Sequence, residues 1–171
     1  MESDTSDTGT KRVELSLLAG THPNGQPVLE TVRALAVPAA GGATVYTLLQ
    51  SPLFVPGAAC GDRIELLANS PGRFRVRERS GQLAVRVLSR GDIAALAEEL
   101  TPAVEKLDGV LDVQTPRALV YSIHVAVGFG EIERVFDAAV TNTGAAQWSY
   151  GNVYDAETGA PLNWWESLLT P

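Results

Sequence analysis

Between residues 82 and 156 the hydrophobic period of the chain switches back and forth between about two and about 3.6, and few folds accommodate that order. QLAVRVLS (82–89) alternates as a strand. Asp92 then stands where a helix N-cap belongs, ahead of Ile93, Leu96, Ala97 and Leu100 at three- and four-residue spacing. Pro102 either kinks this helix or starts a second segment with Val104 and Leu107, and Gly109 stops it. VLDVQT (110–115) and RALVYSIHVAV (117–127) read as two strands of a hairpin. EIERVFDAAV (131–140) places Ile132, Val135, Phe136 and Ala139 on one helical face and ends at the turn Asn142, Thr143, Gly144. QWSYGNVYDA (147–156) supplies a last strand. The order β-α-β-β-α-β predicts a ferredoxin-like arrangement, in which two helices cover one face of four antiparallel strands.

The first half is made of short β-type runs. VELSLLAG (13–20) and PVLETVRALAV (27–37) flank a turn at Asn24 and Gly25; TVYTLLQSPLF (44–54), DRIELLA (62–68) and RFRVRER (73–79) follow, separated by Gly- and Pro-rich turns. Five such runs between residues 13 and 79 predict a small antiparallel barrel or a strongly curled sheet, a β-barrel-like unit (13–80). The expected whole is an α+β body: this unit packed on the ferredoxin-like unit (82–156), with the boundary near Ser80 and Gly81, covering the sheet face that the helices leave open. Residues 1–12 read as a disordered polar leader, and 157–171 as a C-terminal latch segment.

The charge restricts the partners. A net charge of −7 and a pI near 4.8 argue against non-specific nucleic-acid binding, which rests on neutralising phosphates with Lys and Arg, and suit a basic partner or plain solubility. The lone cysteine, Cys60, makes no internal disulfide, no signal-peptide pattern opens the chain, and no run is apolar enough for a spanning helix. The expectation is a cytoplasmic protein with no membrane association.

Four strings, LLAGTHPNGQPVLETVRAL, LLQSPLFVPGAACGD, YSIHVAVGFGEIERVFDA and YGNVYDAETGAPLNWW, together resemble a bacterial family of domains of unknown function, over roughly residues 13 to 165. The resemblance implies that these stretches belong to one unit. It carries no reaction, cofactor or catalytic residue.

The catalytic inventory is thin. Cys60 with His22 or His124 is the only Cys/His combination, and in the small-residue run GAACG a structural thiol is the simpler reading. No HxH, HxxxH or CxxC pair points to a metal, and VGFGEIE (127–133) lacks a P-loop lysine and puts Glu131 and Glu133 where a phosphate would sit. No cofactor is expected.

Two stretches could carry binding. In RFRVRER, Arg73, Arg75, Arg77 and Arg79 share one strand face, suited to an anionic partner or to pairing with acidic residues on neighbouring strands. In YGNVYD, strand alternation puts Tyr150, Asn152 and Tyr154 on one face and Asp155 on the other, with Asn163, Trp164 and Trp165 following. These aromatics either form a recognition surface or latch the tail onto the sheet. The leading expectation is a non-catalytic protein-binding module, such as an acidic inhibitor or immunity-type protein that masks a basic toxin or enzyme. A small-molecule-binding regulatory domain is the alternative, and an enzyme using His124 or Cys60 is the third reading.

Overall fold

The structure, a computed structural model, describes residues 9–169. It is a mixed α+β body with two open antiparallel sheets. The first holds β1 (Lys11–Thr21), β2 (Pro27–Pro38), β3 (Thr44–Leu48), β4 (Arg63–Leu66) and β5 (Phe74–Glu78), hydrogen-bonded in chain order. The long β1–β2 hairpin closes at His22–Gln26, where the Gly25 amide donates to the His22 carbonyl and Gly25 takes a φ of 84°. Lys11 and Arg12, expected in the leader, are the first residues of β1; residues 1–8 of that leader lie outside the described residues.

The barrel-like expectation is corrected. β1 and β5 form no ladder, and the edges meet through one backbone bond, from the Leu18 amide to the Gly72 carbonyl at 2.8 Å. The sheet nonetheless has a core of its own. Leu17, Val32, Ala34, Leu48 and Ile64 are fully buried, each large aliphatic one contributing about 1.5–3 kcal/mol by leaving water.

The second sheet holds β6 (Gln82–Ser89), β7 (Val110–Gln114), β8 (Ala118–His124) and β9 (Ala146–Tyr150) in the order β7-β8-β6-β9. Helix α1 (Ile93–Glu105) is capped by the Asp92 carboxylate, which accepts from the Ala94 and Ala95 amides, and it runs through Pro102. Helix α2 (Phe129–Thr143) ends at Gly144 in the left-handed conformation. Ile93, Leu96 and Leu100 of α1 and Ile132 and Phe136 of α2 pack with Leu83, Val85, Leu119 and Tyr121 of the sheet. A short α3 (Glu166–Leu169) follows the tryptophan pair.

Segment 49–62, between β3 and β4, covers part of the other face of this sheet. Leu53 packs with Ala118 and Val120. Between the two sheets, Gly81 has a φ of 93° and a Cβ there would lie 2.5 Å from His124 Nε2, so the chain passes from β5 to β6 only with glycine at that point.

Candidate functional site

The seam between the sheets is built from polar groups that find partners far along the chain. A β-bulge between Leu111 and Val113 leaves Asp112 outside the β7 ladder. Its carboxylate accepts from the Ser51 amide at 2.7 Å and from the Ser122 hydroxyl, while the Ser51 and Ser122 hydroxyls lie 2.6 Å apart. Glu30 reaches from β2 to accept from three successive amides, Leu53, Phe54 and Val55, at 2.7, 2.8 and 3.0 Å. Arg86 donates to the Val55 carbonyl and packs against Gly151, where a Cβ would fall within 2.8 Å of its guanidinium. The Gly57 amide meets the Gly151 carbonyl at 2.9 Å.

Asp62, with a side chain only 1% exposed, ties segment 49–62 to the connection between β5 and β6. It accepts from the Ala59 and Ser80 amides, the Ser80 hydroxyl and Arg79. Burial pushes its carboxyl pKa up despite those donors, and it does the same to Asp112.

Beside this seam a groove of about 540 Å³ opens at the mouth of the five-stranded sheet. One wall is the end of β1 (18–21). The facing wall is Gly72, Arg73, Phe74 and Val76, and the loop 154–157 with Leu162 forms the rim over Pro56, Gly57 and Arg79. Tyr154 on this rim is half exposed, held by a bridge to Pro161. Asp155 next to it accepts from the Glu157 and Thr158 amides and the Thr158 hydroxyl, and these bonds, led by that of the Thr158 amide, hold its carboxyl below the usual range.

The predicted site residues therefore divide. Tyr154 and Asp155 meet at the groove. Trp164 lies beneath its floor: Arg79, which donates to the Gly57 carbonyl, stands 5.3 Å over the Trp164 ring, and Trp164 Nε1 donates to the Asn152 carbonyl at 2.8 Å. Tyr150 does not join them, because β9 ends there and the expected strand to 156 does not form. Asn152 is fully buried instead; its side chain accepts from the Ala84 amide and donates to the Gln82 carbonyl, taking the place of strand backbone along β6.

Tyr150 packs on the helix side between Trp148 and Phe129, with burial and then Glu133 raising its pKa. Trp165 meets Phe129 at 5.2 Å, and Asn163 supplies the left-handed turn before the pair, with a φ of 57°. Arg75 and Arg77 both pair with half-buried Glu65, at 3.0 and 2.8 Å, and neither lines the groove.

Burial, followed by the charges of Asp112 and Asp62, pushes the Cys60 thiol up to about 11, and His124 Nδ1 accepts from the Ala126 amide. Among the described residues no group of three or more His, Cys, Asp or Glu could hold a metal ion, and no helix is long and apolar enough to cross a membrane.

Sequence reasoning missed the end of β1, Phe74 and Val76 as groove walls, and Glu30 and Arg86 as seam residues. The alternation of Phe74 and Val76 between arginines was the one local signal available.

Two open antiparallel sheets joined through a polar seam, with a groove at one sheet mouth, define a two-sheet α+β domain. The chain belongs to the DUF4265 family, a domain of unknown function whose profile matches residues 30–148. The groove rim and the tryptophan pair follow that match. In fold the chain is similar to a hypothetical protein from Neisseria gonorrhoeae known from a crystal structure, with a TM-score of 0.62 and 11% identity over 82% of this chain and 94% of that one. No curated protein matches it.

Proposed function

We propose that this chain is a non-catalytic binding protein whose partner is another protein, and that the partner is held at the groove between the mouth of the five-stranded sheet and the 154–162 rim. The observation that carries this reading is the groove itself: Leu18, Phe74, Val76 and Leu162 line it, and half-exposed Tyr154 stands at its edge. A tyrosine in that position supplies apolar area with a polar tip at low entropic cost. The net charge of −7 favours capture of a basic partner, as an acidic inhibitor or immunity-type protein would achieve it. A cytoplasmic location belongs to the same reading and rests on the unpaired Cys60. So does a ferredoxin-like assignment for residues 82–156, supported by the strand order β7-β8-β6-β9 with α1 and α2 between strands.

The test is affinity capture of partners with the wild-type chain, with Tyr154→Ala, and with a control in which Arg75 and Arg77 are both alanine. A partner held by the wild type and the arginine control, lost with Tyr154→Ala and weakened by raised salt, supports the reading. Equal capture by all three overturns it.

A second reading has its own support. A volume of about 540 Å³ lies in the range of small-molecule pockets, so a regulatory ligand could occupy the same groove. A metabolite thermal-shift screen separates the two: a compound that stabilises the wild type and not Tyr154→Ala favours the small molecule.

A further inference from the structure

The groove lies where the five-stranded sheet fails to close, and both of its long walls are strand edges. In an antiparallel ladder, alternate residues turn their backbone groups toward the neighbouring strand and away from it. The Leu67 amide donates to the Arg73 carbonyl at 3.0 Å, so position 73, and by the two-residue period position 75, faces β4. Phe74 and Val76 then turn their N–H and C=O groups to the free edge, and both residues line the groove. On the far wall, a β-bulge between Leu18 and Gly20 bends the end of β1 just beyond the Leu18–Gly72 bond. Gly72 permits that pinch: its φ is 77°, and a Cβ there would meet the Leu18 nitrogen at 2.9 Å.

Direction matters as much as spacing. Each of the four pairings from β1 to β5 is antiparallel, so β1 and β5 run the same way. A single inserted strand running oppositely is antiparallel to both. Phe74 and Val76 lie along the β5 wall with Leu162 on the rim, which suits apolar residues at alternate positions, and the charged groups lining the groove are Arg73 and Arg79 on the β5 side and Asp155 and Glu157 on the rim.

We infer that the groove takes an extended, basic segment of a partner protein, which pairs with the free edge of β5 as an added strand and sets its alternate side chains onto the sheet mouth. This rests on the groove being the partner site. An edge strand otherwise left open is a standing template for such pairing, and the protein's negative charge favours a basic strand over an acidic one.

The experiment selects short linear peptides from a displayed random library on the full-length chain and measures the best binder by calorimetry and amide hydrogen exchange. Basic, alternating peptides should emerge, the Phe74 and Val76 amides should become protected on binding, and N-methylating the peptide's alternate amides should weaken binding at least about tenfold in one of the two registers. Full affinity with either register methylated, while groove resonances still shift, overturns strand pairing and leaves the groove as the site. Failure to select any peptide, or equal binding to Tyr154→Ala with no shifts at the groove, overturns the groove reading itself. Protection of Phe74 and Val76 in the chain alone, together with a dimeric elution volume, assigns the edge to a second copy and overturns the proposal.

Discussion

The Arg79 guanidinium stands 5.3 Å above the Trp164 ring while its Nη1 donates to the Gly57 carbonyl, so one side chain just past β5 joins segment 49–62 and the C-terminal tail. Trp164→Phe keeps a ring beneath the cation and removes the bond to the Asn152 carbonyl, an expected loss of about 1 kcal/mol. Trp164→Leu removes the cation–π contact as well. A double-mutant cycle of Trp164→Leu with Arg79→Met, read by urea unfolding, should give a coupling of about 0.5–2 kcal/mol. Strict additivity would show that the two side chains are merely neighbours.

Asn152 replaces strand backbone with a side chain, and that predicts an unusual sensitivity. Asn152→Ala leaves the Ala84 amide and the Gln82 carbonyl without their partner inside a buried seam, at about 1–3 kcal/mol for each group left unsatisfied. Asn152→Asp should be worse than its size suggests, because the acceptor for Ala84 survives while the donor to Gln82 becomes a repelling oxygen. Equilibrium unfolding measures both, and hydrogen exchange at the Ala84 amide should accelerate in Asn152→Ala only.

What could be read in advance follows from the range of each interaction. Asp92 capping α1, the buried stripe Ile93, Leu96, Ala97 and Leu100, and the Asn24–Gly25 hairpin are set by neighbours within a few residues, and each stands where its spacing put it. The groove depends on partners remote in sequence. Glu30 finds amides 23 to 25 residues away, and Asn152 binds β6 across a separation of 68. Strand alternation extended through Tyr154 was locally sound, but β9 stops at Tyr150 because Asn152 turns inward to β6. The bulge that sets Asp112 apart leaves no mark in VLDVQT, and neither does the open sheet, whose closure is decided by the geometry of β1 against β5.

Asp112 and Asp62 give the stability an acid-side slope. Burial raises both carboxyl pKa values above 3.8 in the folded chain, so the folded state binds protons at pH values where the unfolded chain has released them. Their ionisation therefore opposes folding at neutral pH. The opposition fades as pH falls through the raised folded values and is gone below 3.8, while Glu65 and Asp155, with lowered pKa values, lose their favourable contribution from about 4.5 and 3.8 downward. Asp112→Asn retains an oxygen for the Ser51 amide and the Ser122 hydroxyl, and it should flatten the gain in stability between neutral pH and about pH 4. Urea midpoints measured across that range check this; a variant whose slope matches the wild type would refute it.

The same charge acts on Cys60, whose amide donates to the Ser51 hydroxyl at 2.9 Å and whose thiol is raised to about 11 by burial first and Asp112 second. At pH 8 the thiolate is scarce. Even allowing for the greater intrinsic nucleophilicity of a high-pKa sulfur, alkylation by iodoacetamide should run roughly twentyfold or more below a free cysteine. The rate should go on climbing through pH 10 rather than levelling near the ordinary thiol value. Asp112→Asn removes the charge that acts most strongly on the thiol and should bring the inflection down without exposing the residue, whereas denaturation in urea should restore ordinary reactivity at once. A plateau near pH 9 in the folded wild type would show that the seam does not hold Cys60 protonated, and would reopen the thiol as a reactive group.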